Sequence, residues 1–244
     1  LIKKKATTKS FPLRRNGIYF TPTPGISVTE ILSGGWPKPA LQYWMGREAA
    51  KAALNDPTLD ESEVMAKVRA ISGDKAKIGS TVHAMTEAID NTTEQIDIKT
   101  VAPIYSGYIK AFLDFKEQFK PKLLHNEATV YNATFKFAGT CDRIYQMGDK
   151  TVLLDIKTSK AYYPDMALQL SAYQHAEFFY DKDTKVSTPM IKIDELAILL
   201  LAEDGTFSYH QAPDKFKLFL YAFEIYKYLN PEKMELLSTN KEAN

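Results

Sequence analysis

The stretch GTCDRIYQMGDKTVLLDIK, residues 139–157, decides how this chain is read. Gly148-Asp149 separates two segments rich in β-branched, aromatic and aliphatic residues, and glycine beside a small polar residue suits a two-residue hairpin turn. If Met147 pairs with Lys150 across that turn, the register carries Asp142 opposite Asp155. Counted back from the turn, that pair falls at a non-hydrogen-bonded position, where Cα atoms approach to ~4.5 Å. Two carboxylates opposed on one sheet face repel by roughly several tenths of a kcal/mol. A divalent cation between them reverses the sign. Strand alternation puts Val152, Leu154 and Ile156 on one face and Leu153, Asp155 and Lys157 on the other, so Lys157 shares the aspartates' face. Carboxylates hold a hard cation through oxygen, the cation polarises a phosphoryl group and its water, and the lysine positions or activates the nucleophile. An Asp-x-Lys spacing alone also suits a solvated, salt-bridged strand; the second, opposing aspartate is what points to a metal site.

Working outward, residues 128–137, 139–147 and 151–157 read as three strands. A helix is predicted over about 164–180, strands over 195–202 and 206–210, and a closing amphipathic helix over 215–229. Upstream the period is helical. A short helix over 28–32 has Ser27 as its N-cap, and further helices are expected near 41–54, 61–71, 74–89 and 105–119. The last dozen residues are expected to fray. This order predicts an α/β domain with a central mixed sheet flanked by helices and a helical N-terminal half.

Composition narrows the classes. The chain has 244 residues, 45% hydrophobic and 12% aromatic, enough for a buried core. No apolar run approaches the ~18 residues that cross a bilayer, and the longest, 196–202, suits a buried strand. An intracellular protein without membrane association is the expectation. Cys141 is the single cysteine, which excludes an internal disulfide and any four-thiolate metal site. Net charge is +1, yet Lys3, Lys4, Lys5, Lys9, Arg14 and Arg15 fall within residues 1–15 with no acid, leaving a mildly acidic body. Such an arm suits phosphate contacts or a solvated end.

Several blocks resemble the RecB-like exonuclease branch of the PD-(D/E)XK nuclease superfamily. They are GTCDRI (139–144), LLDIKTS (153–159), QLSAY (169–173) and GSTVHAMTE (79–87). The opening over 27–50 is similar to phage exonucleases and the mitochondrial genome maintenance exonucleases. The resemblance implies a restriction-endonuclease-like core and a deoxyribonuclease acting from a DNA end with Mg²⁺ or Mn²⁺. It implies His83, Asp142, Asp155 and the Ile156 carbonyl as metal ligands, and Asp142, Asp155, Lys157 and Gln169 as catalytic. Thr158, Ser159, Lys160 and Tyr173 would touch the DNA strand, with Glu87 and Glu127 as supporting acids. The implied organisation is a basic arm and loop over 1–26, a nuclease domain over 27–230 and a tail over 231–244. Within that domain the helical part spans 27–120 and the catalytic core about 74–210. Expected partners are DNA, single-stranded or with a free end, and replication or recombination proteins, in a phage, bacterial or mitochondrial setting. A structure-specific endonuclease, a DNA-binding recombination module with a vestigial site, and a small-phosphoester hydrolase are the competing readings.

Overall fold

A computed structural model describes residues 13–92 and 97–239. In chain order the elements are β1 (Arg14–Arg15), β2 (Ile18–Tyr19), β3 (Gly25–Ser27), α1 (Val28–Gly35), α2 (Pro39–Asn55), α3 (Glu61–Asp90) and α4 (Pro103–Phe119). Then follow β4 (Lys122–Asn132), β5 (Phe137–Met147), β6 (Lys150–Lys157), α5 (Pro164–Gln174), β7 (Phe178–Asp181) and β8 (Val186–Pro189). The chain closes with β9 (Glu195–Leu201), β10 (Phe207–Ala212), α6 (Phe216–Leu229) and α7 (Pro231–Thr239). The architecture is mixed α/β, as the element order predicts.

The hairpin at the centre forms as its turn chemistry dictates. Met147 pairs with Lys150, and the antiparallel register runs back to Arg143 opposite Leu154. Gly148 takes φ 60, a left-handed backbone that glycine adopts freely. β6 then pairs in parallel with β9, and β9 antiparallel with β10. On its other edge β5 pairs with β4, which meets the β7–β8 hairpin. β3 joins β5 in parallel at Phe137 and Ala138, on the edge that β6 occupies further along. Residues 139–142 therefore have no ladder partner on that edge among the described residues. The sheet forks there.

Both faces of the sheet are covered, so its central strands are apolar on both sides. Val152, Leu154 and Ile156 of β6 with Ala197, Leu199 and Leu201 of β9 pack against Val82 and Ile89 of α3 and Phe112 and Phe115 of α4. Leu153 with Leu196, Ile198 and Leu200 packs the other way, on α1, α5 and α6 through Ile31, Leu168, Leu170, Phe219 and Phe223. No described helix is long and apolar enough to cross a membrane.

Several expectations meet a different outcome. The strand expected over 128–137 ends at Asn132, and residues 133–136 form the turn that leads into β5. The helices expected over 61–71 and 74–89 are one helix of 30 residues, α3. Its N-terminus is a capping box: Glu63 N–H donates to Asp60 and Asp60 N–H to Glu63, each at 2.9 Å. Gly73 in its middle costs about 1 kcal/mol against alanine, too little to break a helix so capped. The helix expected to run to 180 ends at Gln174, and its aromatic tail becomes β7. Phe178 and Phe179 favour a pleated surface and pair with Tyr131 and Val130 of β4. Ser27 stands at the N-cap of α1 as expected, with its hydroxyl bonded to Thr29 Oγ1 at 2.9 Å in place of a backbone N–H. Of the last dozen residues, expected to fray, 233–239 belong to α7, and Lys233 binds Glu30 of α1. Of the basic arm, Lys3, Lys4, Lys5 and Lys9 lie outside the described residues. Arg14 and Arg15 form β1, and the Arg14 guanidinium sits 5.7 Å from the Tyr19 ring centre.

Candidate active site

The site grows from the fork. Cys141 and Ile144 both pack into the core beneath α5, whereas Arg143 and Tyr145 both reach Asp90 of α3. Strict alternation cannot place residues 141 and 144 on one side, so β5 loses its phase across Asp142. Opposite, Glu127 of β4 has φ 47. The local distortion turns Asp142 into the gap between β5 and β6. There Asp142 Oδ2 accepts the Ile156 N–H at 2.8 Å, taking the place of a ladder bond. The same oxygen lies 3.4 Å from His83 Nδ1 of α3. The expectation that Asp142, Asp155 and Lys157 share one sheet face is corrected accordingly. Asp155 and Lys157 lie toward α5, while the Asp142 carboxylate fills the fork between the layers.

Helix α3 carries His83 to the fork, and Gly79, one turn earlier, lies beside the end of β6. A Cβ at Gly79 would lie 3.4 Å from Thr158 Oγ1. His83, Glu127 and Asp142 each offer a ligand atom, all within 4.8 Å of one another. Glu127, expected only as a supporting acid, is thus in the cluster itself. Burial and the neighbouring Asp142 charge raise its carboxyl above the ordinary value, with Arg143 opposing. Glu87 lies one turn beyond His83, outside the cluster.

Asp155 is not among the three converging groups. It is 1% exposed, and neither carboxylate oxygen has a directed hydrogen bond. Lys157 Nζ stands 2.6 Å from Asp155 Oδ2, an ion contact without hydrogen-bond alignment. Burial pushes the Asp155 carboxyl up to about 6, Lys157 pulls it down, and Asp142 adds to the rise. A buried carboxylate with both oxygens short of donors is what a cation would satisfy. With a second carboxylate in the fork and a third on β4, the donor set fits a hard divalent ion, and the imidazole suits Mn²⁺ better than Mg²⁺.

The raised value has a consequence in the metal-free protein. An unfolded aspartate releases its proton near pH ~3.9, so between about pH 4 and 6 the folded state binds more protons here than the unfolded chain. By linkage, Asp155 subtracts from stability as pH rises through that window. Asp155→Asn should therefore gain on the wild type from pH 4 to pH 7, read as a growing difference in Tm with EDTA present. A difference that stays flat or shrinks would contradict the raised carboxyl.

Lys157 Nζ also donates to Gln169 Oε1 at 3.4 Å, and Gln169 Nε2 to the Tyr173 hydroxyl at 3.2 Å. Tyr173, expected to touch DNA, is 2% exposed. A ring so enclosed cannot stack on a base, and its place is behind Gln169. Its ring lies against the backbone of Gly139, where a Cβ would sit 2.4 Å from Tyr173 Cε1. Gly139→Ala should cost about 1–3 kcal/mol by overpacking and shift Gln169 away from Lys157. Gly73→Ala, whose Cβ meets nothing within 4 Å, should be neutral or stabilising by up to about 1 kcal/mol. Urea titration of the two variants makes the comparison, and equal midpoints would refute the close approach at Gly139. Thr158 and Ser159 are half-buried and Lys160 exposed on the loop after β6. Ser159 Oγ donates to its own loop at the Ala161 carbonyl, 3.0 Å away.

Arg143 is a charge on a strand face, which calls for the sheet edge or a carboxylate partner. Its buried guanidinium binds Asp90 Oδ2 at 2.7 Å and Glu127 Oε1 at 3.1 Å. A charged residue on an otherwise apolar strand face was the available signal, since a buried arginine requires an acid. The position of that acid at the end of α3 was not readable.

No known family profile and no curated protein sequence matches the chain. Among solved structures it is similar to that of SSO0001, with TM-score 0.40, 13% identity, and 88% of this chain and 76% of that chain covered. It is also similar to an alkaline exonuclease, LHK-Exo, from Laribacter hongkongensis, with TM-score 0.43, 8% identity, and 90% and 93% covered. At these scores neither likeness bears on the chemistry of the site.

Proposed function

We propose that the protein is a metal-dependent deoxyribonuclease of the PD-(D/E)XK type, close to the RecB-like branch, that hydrolyses phosphodiester bonds from a DNA end. The observation that carries this reading is the meeting of His83, Glu127 and Asp142 at the sheet fork, beside an Asp155–Lys157 pair held at 2.6 Å. His83, Asp142, Asp155 and Glu127 would hold Mg²⁺ or Mn²⁺, with the Ile156 carbonyl as a further donor. When bound, such an ion supplies the positive charge that polarises the scissile phosphate and lowers the pKa of water.

The remaining work falls to the chain. Burial favours a neutral Lys157 amine, but the Asp155 and Asp142 charges overcome that and raise it above its ordinary value. The side chain is therefore an ammonium with no lone pair to accept a proton. It donates hydrogen bonds toward a phosphate oxygen or the attacking water and offsets charge that grows in the transition state. Gln169, braced by Tyr173, fixes where that ammonium points. Thr158, Ser159 and Lys160 stand just past the strand end, where backbone phosphates would be positioned.

The test is end-labelled linear DNA against a covalently closed circle of the same sequence, with Mg²⁺ and with Mn²⁺. Linear strands should be shortened and circles survive. Circles nicked as fast as linear strands are trimmed would replace this reading with an endonuclease. DNA bound but uncut with either ion would leave a binding module.

A further inference from the structure

A second set of charges lies directly behind the cluster, and Arg143 is its centre. The Arg143 side chain has no solvent exposure. Nε donates to Asp90 Oδ2 at 2.7 Å and Nη2 to Thr86 Oγ1 at 3.2 Å. Nη1 donates both to Glu127 Oε1 at 3.1 Å and to the Asp142 main-chain carbonyl at 2.7 Å. One nitrogen therefore holds the side chain of one cluster member and the backbone of another. Asp90 is fixed in turn by the Tyr145 hydroxyl at 2.5 Å and Lys116 Nζ at 2.6 Å. Helix α3 thus presents His83 to the cluster and anchors, through Thr86 and Asp90, the arginine behind it.

Glu127 needs such an anchor. Its φ of 47 is left-handed backbone inside a strand, a state that costs a non-glycine residue roughly 1–2 kcal/mol and persists only where its surroundings hold it. Its carboxylate also stands beside that of Asp142, which repels it. A guanidinium is planar, with five donors in fixed directions, and can grip Asp90 and Glu127 at once. A lysine ammonium is a point charge on a flexible stem and cannot hold both with the same geometry. An arginine bond to one carboxylate oxygen leaves the other for a cation.

We infer that Arg143 is a positioning residue that presets Glu127 as a cation ligand, acting through Glu127 and not on the substrate. The inference rests on the metal-dependent reading above.

The test measures Mn²⁺ binding to the full chain without DNA, from the loss of the free-ion EPR signal. Wild type, Arg143→Lys, Glu127→Gln and the double variant are compared, each checked for folding by its melting curve. Outer partners of metal ligands contribute about 10–100-fold to affinity, so Arg143→Lys should weaken Mn²⁺ binding by about tenfold or more. Glu127→Gln should do at least as much, and the double variant should bind no more weakly than Glu127→Gln alone, the non-additivity expected when one residue works through another. A folded Arg143→Lys that binds Mn²⁺ as tightly as wild type overturns the inference. So does a double variant in which the two losses multiply, because Arg143 would then act on the fold at large. If Arg143→Lys does not fold, Glu127→Gln decides: unchanged affinity overturns the inference and a tenfold loss supports it. A wild type that binds no Mn²⁺ overturns this inference and the metal-dependent reading together. A wild type that binds while Glu127→Gln binds equally well overturns this one alone.

Discussion

Asp155→Asn and Lys157→Ala are each expected to lower DNA hydrolysis by about 10²-fold or more, the usual effect of losing a charged group at such a centre, while the protein still melts cooperatively. Asparagine keeps the shape of Asp155 but removes the charge that a cation and Lys157 both require. It sits where the residue is 1% exposed, so no water can substitute for the lost carboxylate. Alanine at 157 removes the ammonium 2.6 Å from Asp155 and leaves a buried carboxyl that would take up a proton. Both variants should fold, since the apolar neighbours Leu153, Leu154 and Ile156 carry the strand's packing. Single-turnover cleavage of a labelled linear substrate, with saturating Mn²⁺, makes the measurement. A folded Asp155→Asn protein with near wild-type turnover would remove Asp155 from the chemistry and the nuclease reading with it.

The largest effect on stability is expected behind the cluster, at Asp90. Its carboxylate is fully buried and receives Arg143, Lys116 and Tyr145 together. Asp90→Ala leaves the Arg143 guanidinium enclosed with only Glu127 as an acidic partner, and removing one side of a buried pair costs about 3–5 kcal/mol. Urea unfolding of Asp90→Ala against wild type at neutral pH should show a loss of that size with an unchanged m-value. A loss under about 1 kcal/mol would mean that the guanidinium finds water or another acid, and that the network behind the cluster is not rigid. The two experiments separate chemistry from scaffold: Asp155→Asn should disable a stable protein, and Asp90→Ala should destabilise one whose cluster residues His83, Glu127 and Asp142 are all present.

Much of the core was legible because it depends on near neighbours. The Gly148-Asp149 turn, the alternation over 151–157 and the apolar run over 196–202 are local patterns, and the hairpin and parallel strand form where those patterns lie. The arrangement of the cluster was less legible. Pairing Met147 with Lys150 correctly set the register, yet the ladder stops at Arg143 and Leu154, one pair short of the aspartates. The reason is non-local: β3 takes the same edge of β5 from the other end, and the strands part between the two partners. Glu127 could not be ranked above Glu87 from spacing, because its φ of 47 is a backbone state that strand alternation does not announce. Tyr173 shares a helix face with Gln169, and periodicity alone does not distinguish a tyrosine facing a groove from one buried under a glycine.

The sequence by itself determined which segments are helix and which are strand through most of the chain, the turn that registers β5 on β6, and the presence of two aspartates and a lysine close to that hairpin. These follow from turn chemistry and from periods of two and of 3.6 residues, which act over a few positions. Only the tertiary structure decided that α3 runs unbroken to bring His83 and Asp90 together behind β5, and that Asp142 fills a fork instead of lying on a sheet face. It alone decided that Asp155 is enclosed while Glu127 is turned toward the cluster. Those outcomes depend on contacts between segments far apart in the chain, where the burial of a charge and the partner that balances it are settled by packing and desolvation.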